Sequence, residues 1–133
     1  MKENEKTLPK WARVALWTVQ ILLACVFLAA GGAKLVGAQQ MIDVFNEVGI
    51  GQWFRYFTGA IEVIAGLSLF IPAISGIGAL FLACTMVGAV ITHMFIIGGS
   101  SIGASILLVL CLAVAWLRRD ETRTTLGLSS TPS

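Results

Sequence analysis

Four ionisable side chains stand inside or at the edges of otherwise apolar runs: Lys34, Arg55, Glu62 and His93. A charge held in hydrocarbon costs about 2.5–3.5 kcal/mol on insertion scales, so such groups turn inward and find partners. Glu62 is the clearest case. The residues three and four positions to either side of it are Thr58, Gly59, Ala65 and Gly66, all small, whereas Phe57, Ile64, Leu67 and Ile71 fall on the opposite side. Small faces let helices approach closely in a membrane. Glu62 therefore points into a helix–helix seam, where it is either paired or held protonated. The long Lys34 side chain can bend inward to reach it or snorkel outward to the interface. His93 sits beside Thr85, Gly88 and Thr92 in a small polar stripe. Two chemistries fit. One is a polar network that fixes the register of thin helices. The other is a small ligand or proton site built from Lys34, Glu62 and His93, with Arg55, Thr58 and Thr92 as the remaining polar candidates.

Other chemistries find no support in the sequence. There is no Ser-His-Asp arrangement, no phosphate loop, no CxxCH and no cluster of metal-ligating residues. With a single histidine, paired axial ligands for a b-type haem are missing, and no metal site is expected. Cys25, Cys84 and Cys111 lie in apolar runs without a CxxC and read as small buried apolar residues. Met86 and Met94 read as core. The net charge of +2 is too small to point to nucleic acid.

The elements that must position these groups follow from composition. Of 133 residues, 57% are hydrophobic and 12% charged, against about 45–50% and about 25% in an ordinary soluble domain. A short chain leaves much of its surface exposed, so lipid is the expected solvent. About 20 apolar residues cross a bilayer core of roughly 30 Å. The expected fold is all-α: an integral membrane four-helix bundle with spans near 14–36, 53–71, 74–97 and 101–117. The first apolar run is too long for a signal-peptide core of about 7–15 residues. Between the first two spans, Met41, Val44, Phe45 and Val48 share one face and Asp43, Asn46 and Glu47 the other, the period of a short amphipathic helix. It is expected to lie in the interface or to cap the bundle. The Gly98-Gly99-Ser100 turn joins the third and fourth spans, and Gly99 with Gly103 forms a GxxxG expected to pack internally. Residues 1–10 and 118–133 read as polar, disordered tails.

Lys2, Lys6, Lys10 and Arg13 precede the first span, and Arg118, Arg119 and Arg123 follow the last. The positive-inside rule places both ends in the cytoplasm, which agrees with an even number of crossings. The link between the first two spans then lies outside, where Asp43 and Glu47 balance Lys34 and Arg55. At about 1.5 Å rise per residue, Glu62 lies roughly 10–12 Å below Trp53, and all four ionisable groups fall in the outer half.

The pattern of Gly32-Ala33-Lys34-Leu35, then Phe45 and Gly49, then Trp53-Phe54-Arg55-Tyr56-Phe57-Thr58-Gly59, then Glu62, Gly66 and Leu69 through Pro72 resembles the DoxX-like family of small four-helix membrane proteins. The resemblance covers roughly Arg13 to Leu117, and its most specific parts are the Gly-x-Lys ending and the Gly-x-x-Glu spacing. It implies a four-helix bundle in the cytoplasmic membrane, with Lys34 and Glu62 at the positions of the family's polar motif. It also implies a mixed set of roles: thiosulfate:quinone oxidoreduction, membrane complexes that handle oxidative stress, and receptor assembly. Fold alone does not choose among them. The leading expectation is an accessory or assembly subunit of a membrane complex, redox-linked, working with a membrane-protein partner or as a homo-oligomer rather than as an autonomous enzyme. The alternative is a quinone-linked oxidoreductase subunit in which Glu62 and His93 face the quinone. A small-molecule transporter ranks third, since no unwound helix or inverted repeat is visible.

Overall fold

The computed structural model describes residues 8–128, and these are helical apart from short connections, with no strand among them. Helix α1 spans Lys10–Val36, α2 Gln39–Val48 and α3 Gln52–Ser68; α4 spans Pro72–Thr92 and runs on as a π-helical turn, His93–Ile97; α5 spans Ile102–Leu117 and α6 Arg119–Thr125. The helix ends follow local chemistry. Gly37 adopts φ 74°, a left-handed conformation, and its N–H bonds to the Ala33 carbonyl to close α1. Pro72 opens α4 at its first turn, where its missing N–H leaves no hydrogen bond unmade.

The expected helices are present with small shifts in their bounds. Helix α1 starts at Lys10 rather than near residue 14. Helix α3 ends at Ser68, and Leu69 to Ile71 form the turn into α4. Two helical segments, Lys10–Val36 and Pro72–Ile97, are long and apolar enough to cross a membrane, and the pair α5 and α6, bent by 62°, makes a third if it is counted as one.

Helix α1 packs along α3, α3 along α4, and α4 along α5, with a lighter contact closing α5 onto α1. Leu16, Leu23, Ala24 and Phe27 of α1, Ala65 of α3, Leu69, Leu82 and Met86, and Cys111 and Val114 of α5 form one core. The outer surface is apolar as well. Val14, Ile21 and Leu22 of α1, Ile64 and Leu67 of α3, Phe81 and Ile91 of α4, and Ile106 and Val109 of α5 are all exposed. Apolar outer faces this large on α1, α3, α4 and α5 need lipid around them, and the protein is a membrane protein.

The α1–α3 seam is as close as its small residues allow. A Cβ on Gly31 would meet the Gly59 carbonyl oxygen at 2.8 Å, and one on Gly59 would meet Lys34 Cβ at 2.9 Å. The face of α3 that carries Glu62 is thus the seam face, and Phe57, Ile64, Leu67 and Ile71 lie outside it, exposed.

Several expectations are corrected. Residues 119–125 form a helix where a disordered tail was expected. Arg118 does not merely stop the preceding helix: it is fully buried, as is Glu121. The remainder of the expected tails, residues 1–7 and 129–133, lies outside the described residues. Of the three cysteines only Cys111 is buried; Cys25 and Cys84 are exposed, in keeping with a surface that is itself apolar. Met86 belongs to the core, but Met94 is exposed. The GxxxG does not pack internally: a Cβ on Gly99 or Gly103 would meet nothing within 4 Å.

Candidate functional site

Helix α1 carries Lys34 in its last turn, and α3 carries Glu62 near its middle. Across the Gly31–Gly59 contact the two side chains meet. Lys34 Nζ donates to both carboxylate oxygens of Glu62, at 2.9 Å and 3.1 Å. Glu62 is 1% exposed and Lys34 14%, so the lysine bends inward and does not snorkel. Two donor hydrogens shared across one carboxylate make the strong, charge-assisted form of the bond. In an apolar medium neither charge has another way to be solvated.

Arg55 holds the end of α1 in place. Its Nη1 donates to the Lys34 carbonyl oxygen, its Nε donates to Gln52 Oε1 at 2.6 Å, and its guanidinium lies 4.2 Å from the Tyr56 ring centroid. A cation on the last carbonyls of a helix is favourably placed against its dipole. Arg55 therefore positions Lys34 from behind. The expected balance of Lys34 and Arg55 by Asp43 and Glu47 is not made by contact, because Lys34 takes Glu62, Arg55 takes Gln52, and Asp43 accepts from Gln39.

The ion pair forms part of the wall of a cavity of about 470 Å³. Helices α2, α3 and α4 line the rest. Met41, Val44, Phe45 and Val48, the apolar face of α2, close one side. The amphipathic helix is therefore a cap, and Phe45 is pinned beneath it edge-on to Phe54, with ring centroids 6.0 Å apart. Phe57 and Ile61 of α3, and Met86 and Ala89 of α4, add further apolar wall. The volume lies within the usual range of small-molecule sites, about 300–1,000 Å³ with mostly apolar walls and a few convergent polar groups.

The other expected site residues reach this cavity but not the ion pair. Thr58 and Thr92 line it, yet their hydroxyls bond back to their own helices, to the carbonyls of Phe54 and Arg55 and of Gly88. His93 lies on the α4 side, with Nδ1 3.4 Å from the Gly98 carbonyl oxygen. While Nδ1 donates to that carbonyl, Nε2 of the neutral ring is left as an acceptor. The site thus has a charged wall on one side and a histidine on the other, with apolar surface between them.

A second polar cluster, at the other end of the bundle, escapes sequence reasoning. Gln20 of α1 donates to the Leu69 carbonyl at 2.7 Å and accepts from Arg118 Nε at 2.8 Å. Arg118 Nη1 reaches Glu121 at 3.0 Å, and its guanidinium lies 5.1 Å from the Trp17 ring centroid. All three polar side chains are at most 1% exposed. This network clasps α1, the α3–α4 turn and α6 together. Gln20 was the available signal, as an amide in the middle of an apolar run.

No solved structure matches the chain. A Bacillus subtilis (strain 168) protein named "Putative oxidoreductase CatD" is 28% identical over 74 residues, which is 56% of this chain and 55% of that protein. The chain thus spans about half the length of the curated relative it matches. The model of the DoxX-like family matches residues 18–118, a stretch that contains Lys34, Arg55, Glu62, His93 and every residue of the cavity. The chain belongs to the DoxX-like family.

Proposed function

We propose that this protein is a multi-pass subunit of a redox complex in the cell membrane, and that its cavity holds a quinone-class ligand against the Lys34–Glu62 pair. In this reading α1, α3, α4 and α5 each cross the bilayer, both termini are cytoplasmic, and α2 caps the bundle on the outer side. Helices α3 and α5 have 17 and 16 residues, about 24–26 Å of rise, which suits a thin or locally thinned hydrocarbon layer.

The observation that carries the reading is the position of the ion pair. An ion pair that served only to lock helices would be sealed by apolar packing, whereas this one borders a 470 Å³ cavity. A quinone ring is flat and apolar with a carbonyl at either end, and the cavity's mostly apolar wall and its volume of about 470 Å³ support this choice. Lys34 is a donor for one carbonyl, and His93 is a donor for the other when its Nε2 carries a proton. Full reduction of a quinone takes two electrons and two protons. Glu62 and His93 are the groups placed to exchange the protons. In this reading the electrons come from a partner subunit, and the chain serves it as an accessory. The relative named as an oxidoreductase supports the redox setting.

Photolabelling with an azidoquinone in native membranes, followed by peptide mapping, tests the site. Label is expected on α2 and α4 peptides that contain Met41 or Met86, and an excess of unlabelled quinone is expected to remove most of it. Label spread evenly over exposed helix faces, with no competition, would rule out a specific cavity. The result would then favour the second reading, in which the ion pair is purely structural and the protein assembles a partner.

A further inference from the structure

A second depression runs along the outside of α3 and α4. It is lined by Ile61, Ile64 and Ser68 on one helix and by Ile74, Ile77 and Phe81 on the other, with a volume of about 350 Å³. The groove exists because the two helices pack unusually closely behind it. A Cβ on Gly78 would collide with Ser68 Oγ and approach the Ala65 carbonyl at 2.9 Å, so Gly78 leaves the floor without a side chain while the isoleucines form the banks.

The groove adjoins the cavity at one residue. Ile61 lines both. On α3 the cavity takes Thr58, Ile61 and Glu62, and the groove takes Ile61, Ile64 and Ser68. On α4 the groove reaches Phe81, and the cavity begins one turn later at Cys84 and Thr85. These are successive i+3 and i+4 steps on the same faces, so the trough leads away from the ion pair along both helices. From Ile61 to Ser68 it runs about 10 Å. The direction is from the polar cavity toward the Gln20–Arg118 end, across the apolar middle of the molecule. Ile64 and Phe81 are 69% and 56% exposed, so the trough is open to lipid along its length.

We infer that the ligand is a tailed one: the cavity takes the quinone head at Lys34 and Glu62, and the α3–α4 groove takes the first isoprenoid units of its tail. The inference rests on the proposed quinone site and adds to it the selection of long-tailed quinones over tail-less ones. A lipid-soluble quinone can enter sideways along the groove without leaving the bilayer. The tail gains packing against isoleucines rather than removal from water, because lipid is as apolar as the groove. The expected preference is therefore modest, about tenfold, which corresponds to about 1.4 kcal/mol.

The test is the affinity of the purified full chain in nanodiscs for two quinones that share a head, one with a polyprenyl tail and one without. The variants are Ile64→Trp and Ile77→Trp, which fill the groove from outside the core, and Glu62→Gln, which alters the head site. Wild type is expected to prefer the tailed quinone by about tenfold. The groove variants are expected to lose that preference while binding the tail-less quinone as wild type does, which also shows that they are folded. Glu62→Gln is expected to weaken both. Equal affinities for the two quinones in wild type would overturn the inference and leave the head site standing. No binding of either would overturn the site and the inference together. A phospholipid retained by wild type and lost from the groove variants, with quinone affinity unchanged, would make the groove a lipid site and overturn the inference.

Discussion

Lys34→Leu is expected to destabilise the protein by about 3 kcal/mol, the low end of the range for breaking a buried ion pair. The double variant Lys34→Leu/Glu62→Leu is expected to recover most of that loss. The argument is about what is left behind. With Lys34 gone, Glu62 stays 1% exposed in the seam and must either remain an uncompensated charge or take up a proton, and both are unfavourable there. With both gone, two apolar side chains border the cavity and nothing polar is stranded. A double-mutant cycle of unfolding in mild detergent measures the difference. A double variant no more stable than Lys34→Leu would mean that the pair itself stabilises the fold. The predicted partial recovery leaves function as the reason for keeping two charges in the membrane.

Arg118→Leu is expected to have the larger effect, about 3–5 kcal/mol. Arg118 is 0% exposed and bonds to Gln20 and Glu121 at once. Its loss takes one charged hydrogen bond from the buried Glu121 carboxylate and one from the Gln20 amide. Gln20 in turn donates to the Leu69 carbonyl in the turn between α3 and α4, so the damage extends to the seam beneath it. Because α6 docks through this network, a local readout accompanies the global one. Trypsin cleavage after Arg123 is expected to be slow in wild type and much faster in Arg118→Leu at a temperature where both variants remain folded. Equal cleavage rates would show that α6 is held by other contacts.

The two polar clusters differ in how far the sequence revealed them. Lys34 and Glu62 were legible because each side chain is charged in an apolar run, and because Gly59 and Gly66 mark the seam face of α3. Helical periodicity also gave the apolar face of α2. What periodicity does not carry is which α2 surface meets which α4 surface, so a cavity bounded by Phe45, Phe57 and Met86 had no sequence signature. The polar stripe of Thr85, Gly88 and Thr92 beside His93 fitted either a structural network or a ligand site. The threonine hydroxyls instead bond back to α4 carbonyls, an option open to any helical threonine. Arg118 was misread for a physical reason. A basic residue at the end of an apolar run usually stays in water or among lipid headgroups. Here Glu121, one turn on, and Gln20, 98 residues earlier, neutralise and solvate it, and only the second of these is long-range. Gly103 shows the reverse error: its spacing promised a helix contact, but no neighbouring helix approaches it.

The most direct measurement is mass spectrometry of the small molecules that co-purify with the protein in mild detergent, comparing wild type with Glu62→Gln and Lys34→Ala. Quinone bound to wild type and lost from both variants, with all three folded, is the predicted result and places the ligand at the ion pair. Quinone absent from wild type, or retained equally by all three, would contradict the account and leave Lys34 and Glu62 as a structural pair.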